Sequence, residues 1–130
     1  MSDWRWITEA VALAIHDEQL AEHGGAAGVR DRGLLQSALA RPQHLTTYEK
    51  PDLAALAAAY AGGILRNHPF IDGNKRTAFV IANIFLLDHG YDMSAGDAEI
   101  IAKVSALAGG QLDEAAFAEW IRSALMPDHD

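Results

Sequence analysis

Residues 68–90 read HPFIDGNKRTA followed without a break by FVIANIFLLDHG. From Asn74 to His89 the pattern predicts a helix. Phe79, Val80, Ile81, Ile84, Phe85, Leu86 and Leu87 make it apolar nearly all the way round before Gly90 ends it. A helix of that kind must be central, wrapped by others. The residues leading into it are of another sort: His68, Phe70, Asp72, the Gly73-Asn74 turn and the adjacent cations Lys75 and Arg76. The fold is read outward from this polar, glycine-hinged junction.

Upstream, Pro51 and Asp52 suit the first turn of a helix whose stripe Leu53, Leu56, Tyr60 and Ile64 runs to Arg66. Asp31 offers an N-cap for a short helix through Ala40, which Arg41-Pro42 ends. That leaves RPQHLTTYEK, residues 41–50, as a polar functional loop in which His44 and Tyr48 can touch a protein substrate. The first helix runs from Thr8 to Glu22 with Ile7, Val11, Ile15 and Leu20 on one face, and Gly24-Gly25 stops it. GGAAGVRD, residues 24–31, lacks the ending of a P-loop and reads as a connection. Trp4 and Trp6 are expected to pack an N-terminal arm, residues 1–7, onto the body, the alternative being an exposed partner-binding pair.

Downstream, Ser94 with Asp97 caps a fifth helix that turns Ile100, Ile101, Val104 and Leu107 inward. Asp113 starts a sixth, built on Ala116, Phe117, Trp120, Ile121 and Leu125, and residues 127–130 form a frayed tail. No alternating run supports more than a small hairpin in the loops. The expectation is an all-α, compact six-helix fold, one domain over residues 1–130, with the motif loop leading into a buried central helix.

With 130 residues, half of them hydrophobic and 22% charged, the chain has globular composition and enough length to bury a core without metals or disulfides. It has no cysteine, which excludes disulfides, thiolate metal sites and Cys nucleophiles. The start, MSDWRWITEA, does not resemble a signal peptide, and the uncharged run Leu53 to Leu65 is too short to cross a bilayer, so a cytoplasmic location is expected. A net charge of -8 argues against broad binding to nucleic acid or membrane. Any anion must be held by a local cluster.

The junction has that chemistry. A helix N-terminus presents unpaired N–H groups and a positive dipole, and Gly73 lets the backbone approach an anion closely. Lys75 and Arg76 add positive charge, Asp72 supplies a hard oxygen suited to Mg²⁺, and a neutral His68 can accept a hydroxyl proton. Taken singly, each has a structural alternative: a core histidine, a turn aspartate, a solvated Lys-Arg pair. Two cations at the positive end of a helix disfavour the helix, however, which makes sense if an anion binds there. His16-Asp17 resembles the dipeptide of metal phosphohydrolases, but the other spaced ligands of that class are not evident.

HPFIDGNKR resembles the Fic signature, H-x-F-x-[D/E]-G-N-G-R-x-x-R, and is closer to the Doc branch of the Fic/Doc superfamily, the death-on-curing toxins. GVRDRGLLQSALARPQ and FLLDHGY extend the likeness. The resemblance implies ATP and Mg²⁺ as cofactors. It implies His68 as general base, Phe70 as structural anchor, Asp72 as metal ligand, Gly73 and Asn74 as part of the anion hole, and Arg76 as a phosphate-binding cation, with Arg66 as a further basic residue. Lys75 stands where adenylylating members have a second Gly, and Phe79 where they have a second Arg. Doc-type members share both changes and transfer the γ-phosphoryl group to a Ser or Thr hydroxyl, so Lys75 joins the expected catalytic set. The implied target is elongation factor Tu. No [S/T]-x-x-x-E-[G/N] inhibitory segment is present, so control by a Phd-like antitoxin chain is implied. AMP transfer to a protein and a non-catalytic partner-binding module are the alternatives.

Overall fold

The computed structural model describes residues 3–128 as six helices and one short pair of strands. They are α1 (Glu9–His23), α2 (Arg32–Tyr48), α3 (Leu53–Asn67), α4 (Asn74–Asp88), β1 (Tyr91–Met93), α5 (Asp97–Gly109), α6 (Glu114–Ala124) and β2 (Leu125–Pro127). The all-α expectation holds. Thr8, Asp31, Asp52 and Asp113 each cap a helix by accepting from the backbone N–H three residues on.

The core forms around α3, which packs against α2, α4, α5 and α6. Ala54 and every residue from Leu56 to Ile64 are buried. The run of alanine and glycine lets neighbouring helices come close on several sides. α4 lies along α3 with α1, α5 and β1 against it, and contributes Ala78, Ile81, Ala82, Phe85 and Leu86 to the core. The arm is held as expected: Trp6 stacks on Phe85 with ring centroids 6.0 Å apart, and the Ile7 N–H donates to the buried Tyr60 hydroxyl at 2.8 Å. Met1 and Ser2 lie outside the described residues.

Several expected boundaries are corrected. α2 does not end at Arg41-Pro42 but runs through the proline to Tyr48, so residues 41–48 are helix and not a loop. Pro42 deprives the Ala38 carbonyl of its helical donor. That carbonyl abuts Gly63, where even a Cβ would sit 3.2 Å from it, so α3 packs its bare backbone against this part of α2. Ser94 is not the α5 cap. Its N–H donates to the Ala124 carbonyl, and α5 starts after Gly96 with no capping side chain. Val11 and Ile101 are exposed; α1 instead buries Ala12, His16 and Gln19.

β1 and β2 pair antiparallel but are separated by two helices, so they are not a hairpin. Pro127 pairs with Tyr91, and the Asp128 N–H donates to the Gly90 carbonyl, so these two residues of the expected tail are tied down. His129 and Asp130 lie outside the described residues. Among the described residues, no helix is long and apolar enough to cross a membrane.

Candidate active site

Residues 68–73 join α3 to α4 through two left-handed positions. His68, at the C-terminus of α3, has φ 51° and ψ 56°, and Gly73, ahead of α4, has φ 77°. Outside glycine this region is uncommon, although histidine tolerates it better than most residues. Phe70 is fully buried and forms an isolated antiparallel bridge with Val29, through which the 24–31 loop is laid along the motif.

The Asn74 side chain has a role that residue type alone did not reveal. Buried inside the loop, its Oδ1 accepts from the Phe70 N–H at 3.1 Å, and its Nδ2 donates to the Phe70 carbonyl at 2.9 Å. That amide is thereby committed to holding the loop, so only the Asn74 backbone N–H is left to face an anion. Nδ2 also lies 3.2 Å and 3.4 Å from the two His68 ring nitrogens. The second Nδ2 hydrogen thus reaches the nitrogen edge of the His68 ring, nearer Nδ1, and which ring nitrogen accepts follows from the His68 tautomer.

Asp72 is exposed, and its carboxylate accepts from the Ala26 N–H at 3.1 Å and the Gly73 N–H at 2.8 Å. Those two backbone donors, Ala26 first, hold its carboxyl below the usual aspartate range, helped by the nearby charge of Arg76. Loop residues 24–26 thus orient a charged oxygen donor. Among the described residues no cluster of three or more carboxylates or imidazoles exists to hold a metal. One carboxylate is nevertheless what Mg²⁺ commonly takes from protein when phosphates supply further oxygens.

Gly73 gives α4 no capping side chain, so the first-turn N–H groups of α4 lack the partner that Thr8, Asp31, Asp52 and Asp113 provide elsewhere. Arg76 donates from Nη2 to the Gly24 carbonyl at 2.9 Å, while its Nε is buried without a partner. Among the described residues neither Lys75 nor Arg76 pairs with a carboxylate. These groups meet at a cavity of about 430 Å³ lined by His68, Asp72, Gly73, Asn74, Lys75 and Arg76 together with Leu65, Ile71 and Ala108. Uncapped N–H groups, an unpartnered buried guanidinium nitrogen and an ionised carboxylate suit a nucleotide phosphate with Mg²⁺.

Arg66 is the exception. It does not line this cavity, and its guanidinium leans to Glu114 at 3.6 Å, a carboxylate that Arg41 grips at 2.7 Å. His44 and Tyr48, exposed on α2, are likewise absent from its walls. Sequence reasoning missed His16, which is buried, stacks on Phe70 at 3.9 Å and bonds through Nε2 to the Asp72 carbonyl at 2.9 Å. Its place in the otherwise unexplained HD pair was the available signal.

The Fic/DOC family model matches residues 6–86, which takes in α1 to α4 and the whole junction. The chain belongs to the Fic/DOC family. Among its relatives, "Protein kinase doc" of Escherichia phage P1 is 36% identical over 87 residues, covering 66% of this chain and 69% of that protein. "Toxin Doc" of Mycolicibacterium smegmatis is 47% identical over 75 residues, covering 55% of this chain and 57% of that protein. A Fic/DOC domain of the Doc type is therefore what positions His68, Asp72 and the two cations around one cavity.

Proposed function

We propose that this chain is a Doc-type toxin that transfers the γ-phosphoryl group of ATP to a Ser or Thr hydroxyl of a protein, with elongation factor Tu as the target by resemblance. The observation that carries the reading is the uncapped start of α4, flanked by Lys75, Arg76 and ionised Asp72, with His68 in the same cavity. The name of the phage P1 relative supports phosphoryl transfer.

The chain's own groups divide the work. First-turn N–H groups of α4, Lys75 and Arg76 hold and neutralise phosphate oxygens. Asp72 is the ligand for Mg²⁺, which when bound neutralises charge on the β- and γ-phosphates. His68 accepts the proton of the target hydroxyl as its oxygen bonds to the γ-phosphorus. The bond from that phosphorus to the β,γ-bridging oxygen breaks, and ADP leaves. Phe79, where AMP-transferring members carry a cation, lies instead in an apolar groove with Val80, Ile100, Ile101 and Val104, which favours γ-phosphoryl over AMP transfer.

That groove, about 600 Å³ and bordered by Lys75 and Arg76, suits an amphipathic segment of a Phd-like antitoxin chain in the cytoplasm. The test is to incubate the protein with bacterial lysate and MgATP and to map modified residues by mass spectrometry. A phosphorylated Ser or Thr that vanishes with His68→Ala supports the proposal. An AMP adduct, or modification that survives in His68→Ala, overturns it.

A further inference from the structure

The His68 backbone is gripped from outside the motif. Arg30, at the end of the 24–31 loop, donates from Nε to the His68 carbonyl at 2.7 Å and from Nη2 to the Asn67 carbonyl at 2.8 Å. The backbone N–H groups of Arg30 and Asp31 both donate to the next carbonyl, Pro69, at 2.7 Å and 3.1 Å. Residues 30 and 31 thus satisfy three consecutive carbonyls, 67 to 69, where α3 ends and the chain turns left-handed. A guanidinium complements the negative end of α3. Its planar fork also specifies the relative direction of two carbonyls, which an ammonium cannot do. Among the described residues Arg30 has no acidic partner, so its charge is not engaged elsewhere.

The phosphate side of the junction is held separately. Asp72 is fixed by the Ala26 N–H, by its bond with the Gly73 N–H, and by His16 on its carbonyl; Asn74 clamps Phe70. None of these contacts passes through the Arg30 side chain. Loss of that side chain therefore releases the Asn67 and His68 carbonyls, while the backbone hold on Pro69 and the anion site stay in place.

We propose that Arg30 is a positioning residue for the base: it imposes the left-handed conformation of His68 and so aims the imidazole at the target hydroxyl. This rests on the reading of His68 as base. Arg30→Ala lowers kcat by about 10- to 100-fold, as expected for a displaced catalytic group, with the KM for MgATP changed by less than about twofold. Millimolar guanidinium restores part of the lost rate, and Arg30→Lys, which keeps the charge without the fork, stays well below wild type.

The ring resonances of His68, followed by NMR in isotopically labelled protein, shift in Arg30→Ala and move back when guanidinium is added. A kcat within about twofold of wild type, or a KM for MgATP that rises as much as kcat falls, overturns the proposal. If the wild-type protein transfers no phosphoryl group, the functional reading fails and the NMR comparison decides the positioning alone: displaced and restored resonances support it, unmoved ones overturn it. Should Arg30→Ala not fold, Arg30→Lys carries the same comparisons.

Discussion

Asp72 shows how much of the site's charge is set by backbone. Donation from Ala26 and Gly73 keeps its carboxyl below the ordinary aspartate range. The contribution of this carboxylate to loop stability is therefore present above about pH 4, the ordinary aspartate value, and is lost as pH falls through the lowered folded one. Asp72→Asn keeps an oxygen that can accept one of the two N–H bonds but removes the charge. Its melting temperature should fall modestly with the lost N–H bond, while Mg²⁺-dependent transfer falls by at least about 100-fold. A melting curve and a transfer assay check both halves. The sequence singled out His68, Asp72, Lys75 and Arg76 together because each carries its chemistry in its side chain, and the fold brings all four to one cavity. The parts of the Asn74, His16 and Arg30 side chains were not legible, since they depend on which carbonyls and N–H groups the fold brings to them.

Among the elements, α2 and α3 meet backbone to backbone. A Cβ on Gly63 would lie 3.2 Å from both Cα and O of Ala38, with no flexible side chain to yield. Gly63→Ala should therefore destabilise by about 1 to 3 kcal/mol, read as a lower urea midpoint with unchanged slope. Gly73→Ala is a different case. The nearest atoms to its Cβ are 3.6 Å away, so the cost is conformational, about 1 kcal/mol for an alanine at φ 77°. Helix number and most helix starts were legible because Thr8, Asp31, Asp52 and Asp113 cap by short-range chemistry. The run of α2 through Pro42 was not, because a proline within a polar stretch reads as a stop, while the close packing of α2 on the Gly63 face of α3 is a tertiary contact that local sequence does not carry.

Across the whole molecule, Tyr60 ties the N-terminal arm to the buried centre. Burial pushes its phenol up to about 12 from 10.0. The folded state thus favours the neutral form, and that contribution is intact below pH 10 and lost as pH rises toward 12. Alkaline titration should lower stability over that window by at most about 2 kcal/mol, and Tyr60→Phe should remove the pH dependence. At neutral pH the same substitution leaves the Ile7 N–H without its acceptor and should cost about 1 to 2 kcal/mol, measured by urea unfolding.

The central claim is the polarity of transfer at the α4 N-terminus. It is tested most directly by incubating the protein and its target with ATP labelled at either the α- or the γ-phosphate. The account predicts label on the protein target from γ-labelled ATP alone, abolished by His68→Ala. Label from α-labelled ATP would contradict it.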